Sequence, residues 1–156
     1  IEDCSFNGCM SLTSIMLPDR LLSMGEGCFC HCESLISITL PEDLTEIGYA
    51  CFSGCISLTS ITLPKGLIKL GYYCFSECAF TSITLSEGIT EFYSDIFRNC
   101  IFLKSIIFQS VNPPSIYNYN IGYDFDFDDI IAYVPKESLN LYKEKLGSRF
   151  KEILPI

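Results

Sequence analysis

The sequence predicts a solenoid, a stack of short coils with strands on one face and turns or short irregular segments on the other, closed by a small α+β cap at the C-terminal end. Three observations predict it. Phe6, Phe29, Phe52, Phe75 and Phe97 recur at spacings of 23, 23, 23 and 22 residues. Each is followed three residues later by a cysteine: Cys9, Cys32, Cys55, Cys78 or Cys100. Each block then runs in one order. Leu12, Leu35, Leu58, Phe80 or Leu103 comes first, then Ile15, Ile38, Ile61, Ile83 or Ile106, and two residues later Leu17, Leu40, Leu63, Leu85 or Phe108. A fixed period of roughly 20–29 residues with L-x-x-L-x-L spacing belongs to leucine-rich repeats. The fold class is therefore a leucine-rich repeat solenoid, with about five 23-residue repeats over residues 1–110 and a cap over 111–156.

The third block shows how one coil is built. Leu58-Thr59-Ser60-Ile61-Thr62-Leu63 alternates apolar and small polar residues, which predicts a strand with one buried face. Ile61 and Leu63 point inward; Ser60 and Thr62 point out. Pro64, like Pro18 and Pro41, ends the strand because it cannot donate to a ladder. Lys65-Gly66 is a turn signal. Leu67 and Leu70 return inward. Gly71, at the position of Gly25 and Gly48, is expected to turn the chain at positive φ. Phe75 then fills the far side of the next coil. The fourth block is one residue short between Cys78 and Ile83, and Ser86 stands where the proline would be. A shortened connection absorbs this at little cost.

The two ends are unequal. Ile1 lies five residues before Phe6, the offset that Met24, Ile47, Leu70 and Phe92 keep from the later phenylalanines. The chain therefore opens on the tail of a repeat and reads as the C-terminal piece of a longer, N-terminally truncated array. It lacks the basic and apolar regions of a signal peptide at its start. An uncapped N-terminal edge is expected to self-associate with another copy. At the other end the period fails after Phe108. Val111-Asn112-Pro113-Pro114 breaks the chain. Ile130–Val134 predicts a strand stopped by Pro135. Residues 137–146 predict a helix with Leu139, Tyr142 and Leu146 on one face, and Phe150 to Pro155 a last edge strand.

Composition narrows the partners. The net charge is −9, from 19 acidic and 10 basic residues. That balance disfavours nucleic acid and anionic membrane, which need a basic surface. No apolar run is long enough for membrane insertion as a helix. The 10 cysteines would suggest a disulfide framework in a small secreted protein. Eight of them instead keep repeat positions: the five after Phe, and Cys28, Cys51 and Cys74 just before it. Cysteine packs as a small apolar residue, so stacked reduced thiols are expected. Coils stacked about 4.8 Å apart would also bring such thiols within bridging reach, which leaves pairing open.

Three constellations invite a chemical reading. Cys28-Phe29-Cys30-His31-Cys32 puts three thiols around the chain's only histidine, and the enzyme-class reading is a metal-dependent hydrolase centred on His31. Against it, Cys28 and Cys32 already belong to the ladders, and the single spacing suits a chelate loop poorly. Neither a bound metal nor a cofactor is expected. Asp124-Phe125-Asp126-Phe127-Asp128-Asp129 alternates carboxylates as a calcium loop does. An EF-hand register would need Gly at Asp129 and Glu at Pro135, so solvated Asp residues beside buried Phe residues read better. The third is the outward row of the strands, taken as the concave face: Ser14, Met16, Ser37, Thr39, Ser60, Thr62, Ser82, Thr84, Ser105 and Ile107. These suit a solvated strand surface or a polar platform for a protein or glycan ligand, although binding faces are usually richer in Tyr, Trp and Arg. Tyr117, Tyr119 and Tyr123 make a possible aromatic patch in the cap. Catalysis is not expected: no nucleophile–base pair stands out.

The pattern Cys-x-x-Leu-x-x-Ile-x-Leu-Pro, then Leu-x-x-Ile-Gly and a Phe before the next Cys, runs from Cys32 to Phe52 and again, with Leu-Gly, from Cys55 to Phe75. It resembles the BspA-like leucine-rich repeat. Pro113-Pro114, Tyr133-Val134-Pro135 and Tyr142-Lys143 also resemble the bacterial C-terminal segment of that family. The resemblance implies cell-surface or secreted proteins of anaerobic bacteria and some parasitic protists, with adhesion to host proteins or other cells. It supplies no binding residues. Cys28, Cys51 and Cys74 stand where the family usually has Ala, and an anaerobic habitat would reconcile free thiols with export. The expected function is thus a non-enzymatic interaction or adhesion module. The alternative is a purely structural spacer presenting another domain.

Overall fold

The computed structural model describes residues 1–118 and 127–156. Its elements are β1 (Ser23–Met24), β2 (Glu46–Ile47), β3 (Lys69–Leu70), β4 (Ser82–Leu85), β5 (Glu91–Tyr93), β6 (Ser105–Phe108), β7 (Ser115–Tyr117), β8 (Ile131–Val134), α1 (Leu139–Leu146) and β9 (Glu152–Pro155), with 3-10 turns at Ser94–Phe97 and Lys136–Ser138. All the strand pairs are parallel. β1, β2 and β3 pair in register, with Met24 beside Ile47 and Ile47 beside Leu70. β5 pairs β7. The order β4-β6-β8-β9 makes a second ladder. Stacked coils put equivalent residues side by side, so parallel pairing follows from the repeat itself.

The turn side of each coil is a third ladder. The Phe6, Phe29 and Phe52 amides donate to the carbonyls of Cys28, Cys51 and Cys74 in the next coil, each at 2.8 Å. The rings stack as a column: Phe6–Phe29 at 5.1 Å, Phe29–Phe52 at 5.5 Å, Phe52–Phe75 at 5.9 Å and Phe75–Phe97 at 6.3 Å between centroids. The cysteine row contributes more than bulk. The thiols of Cys32, Cys55, Cys78 and Cys100 donate to the carbonyls of Phe6, Phe29, Phe52 and Phe75 at 3.0–3.3 Å. All ten cysteines are free thiols.

Two expectations are corrected by the structure. The strand expected at Leu58–Leu63 and its equivalents becomes regular only in β4 and β6. In the proline-bearing blocks those residues lie outside any ladder. The reason shows at the matching position Gln109, whose amide donates to the Leu85 carbonyl at 3.1 Å. Pro41 and Pro64 have no proton for that bond. Their coils pair instead through β1, β2 and β3, a strand row where the sequence predicts only a return segment. Second, Gly25, Gly48 and Gly71 do not adopt positive φ; among the described glycines Gly8, Gly27 and Gly54 do. Gly48 and Gly71 are required by close approach: a Cβ at Gly48 would lie 2.6 Å from the Gly25 carbonyl carbon. Strands of residues 111–156 also pair with strands of the repeats. β7 pairs with β5, and β8 prolongs the β4-β6 ladder, after the sequence period is lost.

The end of the chain closes on a buried tyrosine. Tyr142 on α1 is inaccessible to solvent, its ring 5.4 Å from that of Phe108. Its hydroxyl donates to the Ser110 carbonyl at 2.8 Å, with the Asn112 carbonyl at 3.3 Å. Burial pushes that phenol's pKa upward. Arg149 reaches back to hold the end of β7, donating to the Ile116 carbonyl at 3.0 Å and to Asn118 Oδ1 at 2.8 Å. β9, the last strand of its ladder, carries Pro155, a residue that blunts a sheet edge.

Candidate functional site

The outward strand positions form one row. In β4 and β6, Ser82 lies beside Ser105 and Thr84 beside Ile107. The row continues into the cap, with Ile131 beside Ser105 and Tyr133 beside Ile107. Ser14, Ser37, Thr39, Ser60, Thr62 and Ser82 are exposed, and Met16 is 97% exposed. Thr84, Ser105 and Ile107 are half-buried. The surface is thus a low platform of hydroxyls and methyls, suited to hydrogen bonding and shallow apolar contact. Beside Met16 an open hollow of about 390 Å³ is lined by Ile1, Phe6, Ile15, Leu17 and Pro18.

The residues around His31 do not converge. His31 is exposed at φ 56, in the turn position also held by Gly54, Glu77 and Asn99, all with positive φ. Cys28 and Cys32 are fully buried. Cys32 donates its thiol to the Phe6 carbonyl, and Cys28 accepts from the Cys51 thiol, which lowers the Cys28 pKa and raises that of Cys51. Among the described residues no three His, Cys, Asp or Glu side chains are gathered to hold a metal. Residues 124–126 of the acidic stretch, with Tyr119 and Tyr123, lie outside the described residues. Phe127 is buried, while Asp128 and Asp129 are exposed.

A concave site lies instead along the β1-β2-β3 row, away from the residues that the sequence singled out. It is a groove of about 500 Å³ running across the coils. Gly25, Gly48 and Gly71 line its floor, packed so closely that a Cβ on any of them would meet the preceding coil. One wall is the outward row Ser23, Glu46, Lys69 and Glu91, with Lys69 Nζ 3.5 Å from Glu46 Oε2. The opposite wall changes character along its length, from Asp3 and Glu26 to Tyr49 and Tyr72. Tyr93, in place of the next glycine, closes the aromatic end, its ring 4.1 Å from Tyr72 and 5.4 Å from Tyr117. Tyr117 thus continues this aromatic row from the first strand of the cap. The signal was present in the sequence, since Asp3, Glu26, Tyr49 and Tyr72 share one repeat position beside the glycines.

Residues 1–104 match the BspA type leucine-rich repeat region, in six copies. The chain belongs to the BspA-type leucine-rich repeat family. No curated protein matches it. Among solved structures, this BspA-type chain is similar to the leucine-rich repeat protein TpLRR of T. pallidum. The two are 33% identical over 69% of this chain and 50% of that one, with a TM-score of 0.67. A leucine-rich repeat protein from Bacteroides ovatus is 26% identical over 89% of this chain and 44% of its own, at a TM-score of 0.60. The pneumococcal vaccine antigen PcpA shares the fold at 19% identity, over 92% of this chain and 41% of its own, at a TM-score of 0.58. The BspA-type chain thus spans half or less of each of these proteins. No helix among its described residues is long and apolar enough to cross a membrane.

Proposed function

We propose that this chain is a non-enzymatic interaction module of a cell-surface or secreted repeat protein, and that it adheres to a protein or glycan ligand, host-derived in an adhesin, through the exposed strand row. The observation that carries the reading is the register that sets Ser82 beside Ser105 and Thr84 beside Ile107, aligning the small polar side chains of successive coils on one surface. Family membership supports a surface role, because solenoids of this kind act by presenting extended faces rather than by housing chemistry.

The test is binding of the chain to a panel of extracellular-matrix proteins and glycans. The comparison variant carries Ser37→Lys, Ser60→Lys and Ser82→Lys, all at exposed positions. Saturable binding that the variant loses while staying folded supports the strand face. Binding by neither protein favours the structural spacer.

A further inference from the structure

We infer that the groove over Gly25, Gly48 and Gly71 is a second recognition site, separate from the strand row, and that it takes an extended peptide segment carrying lysine or arginine. Three features lead there. The first is shape. The groove is lined from five successive coils, and strands stacked about 4.8 Å apart span about 19 Å over that distance, the length of about six extended residues. Gly25, Gly48 and Gly71 line its floor, and Tyr93 bounds it at one end.

The second is charge. Asp3, Glu26, Glu46 and Glu91 line the groove against Lys69, which is already engaged with Glu46. An ammonium or guanidinium entering at the Asp3 and Glu26 end meets carboxylates, whereas an acidic segment is repelled there. The net charge of −9 adds to the same field. The third is the aromatic end. Tyr49 is 47% exposed, and an exposed tyrosine supplies contact area at low entropic cost. The fold itself places the Arg98 guanidinium 5.7 Å from the centre of the neighbouring Tyr73 ring, the contact that a peptide cation would make there. Tyr72 and Tyr93 already lie ring against ring, which leaves less open ring face for a sugar than for a peptide side chain.

The experiment is an amide NMR titration of the labelled chain with an acetylated, amidated hexapeptide of alternating Lys and Thr. The parallel titrations use its Glu-for-Lys counterpart and cellohexaose. The expected result is saturable shifts at Gly25, Gly48 and Gly71 with the Lys peptide alone. Glu26→Gln with Glu91→Gln should weaken binding about tenfold, the scale of two partly screened charge contacts. Both residues are exposed or half-exposed, so the double variant should melt as the parent does. Tyr49→Ala should also weaken binding, and Ser60→Lys should leave it unchanged, which separates this site from the strand row. Shifts with cellohexaose but not the Lys peptide, equal response to both peptides, or no saturable shift would overturn the inference.

Discussion

The thiol of Cys55 donates to the carbonyl oxygen of Phe29 at 3.2 Å, across 26 residues of sequence. The same bond recurs between Cys32 and Phe6 and between Cys78 and Phe52, and each sits under the column of stacked rings. A repeat position occupied by cysteine is thus a hydrogen-bond donor between coils as well as a filler of small volume.

Cys55→Ala should lower stability by about 1–2 kcal/mol, one buried hydrogen bond with a small loss of packing. Cys55→Ser should cost less than its lost apolar surface alone would suggest, because the hydroxyl can make the same donation. Phe52→Ala should cost about 3–5 kcal/mol by opening the ring column, and Thr62→Ala on the exposed row within about 0.5 kcal/mol. Urea unfolding of the four variants gives the order.

Gly48→Ala should destabilise by roughly 1–3 kcal/mol, since its Cβ meets backbone atoms of the preceding coil that have no rotamer to change. Gly66→Ala is the control. Its nearest contact would be Glu42 O at 3.6 Å, so it should be neutral or stabilise by up to about 1 kcal/mol through the unfolded chain. Thermal melts of both variants decide it.

Thiol reactivity should divide the cysteines. Cys4 and Cys9 are exposed and Cys30 partly so, while the rest are buried. A thiol reagent at neutral pH should label those three in the folded protein and all ten in denaturant. Early labelling of Cys74 or Cys78 would contradict this packing.

The same burial predicts alkaline unfolding. It pushes Cys32 up to about 11 and Cys55 and Cys100 up to about 12, from an ordinary value of 9.0. Groups with raised folded pKa values stabilise fully below the unfolded value, and that contribution is lost as pH rises through the folded values. Stability should therefore hold to about pH 9 and fall between 9 and 12, more steeply than one proton would give. Denaturation midpoints across that range measure it.

Tyr142→Phe should cost about 1 kcal/mol, because the Ser110 carbonyl loses its donor while the ring contact with Phe108 stays. The loss should appear as faster amide exchange in β9 and α1 with little change at Phe29 or Phe52, since coils contact only their neighbours.

Much of this was written in the period of 23. The Phe and Cys columns and the inward Leu and Ile are legible because a stack repeats its neighbour contacts at every coil, so selection for packing appears as a sequence period; the strand near Ile131 and the helix bearing Tyr142 lie beyond the period and are legible from local apolar patterning and the stop at Pro135. The tertiary structure decided what depends on two coils at once. Whether Leu58–Leu63 joins a ladder turns on the absent proton of Pro64 and the carbonyl opposite it. Whether Gly48 serves φ or close approach turns on the distance to Gly25. The groove exists only because Glu26 and Tyr49, a full repeat apart in sequence, become neighbours along one wall. β7 pairs with β5 and β8 with β6 without the period, because backbone hydrogen bonds carry the stack onward whatever side chains the strands present.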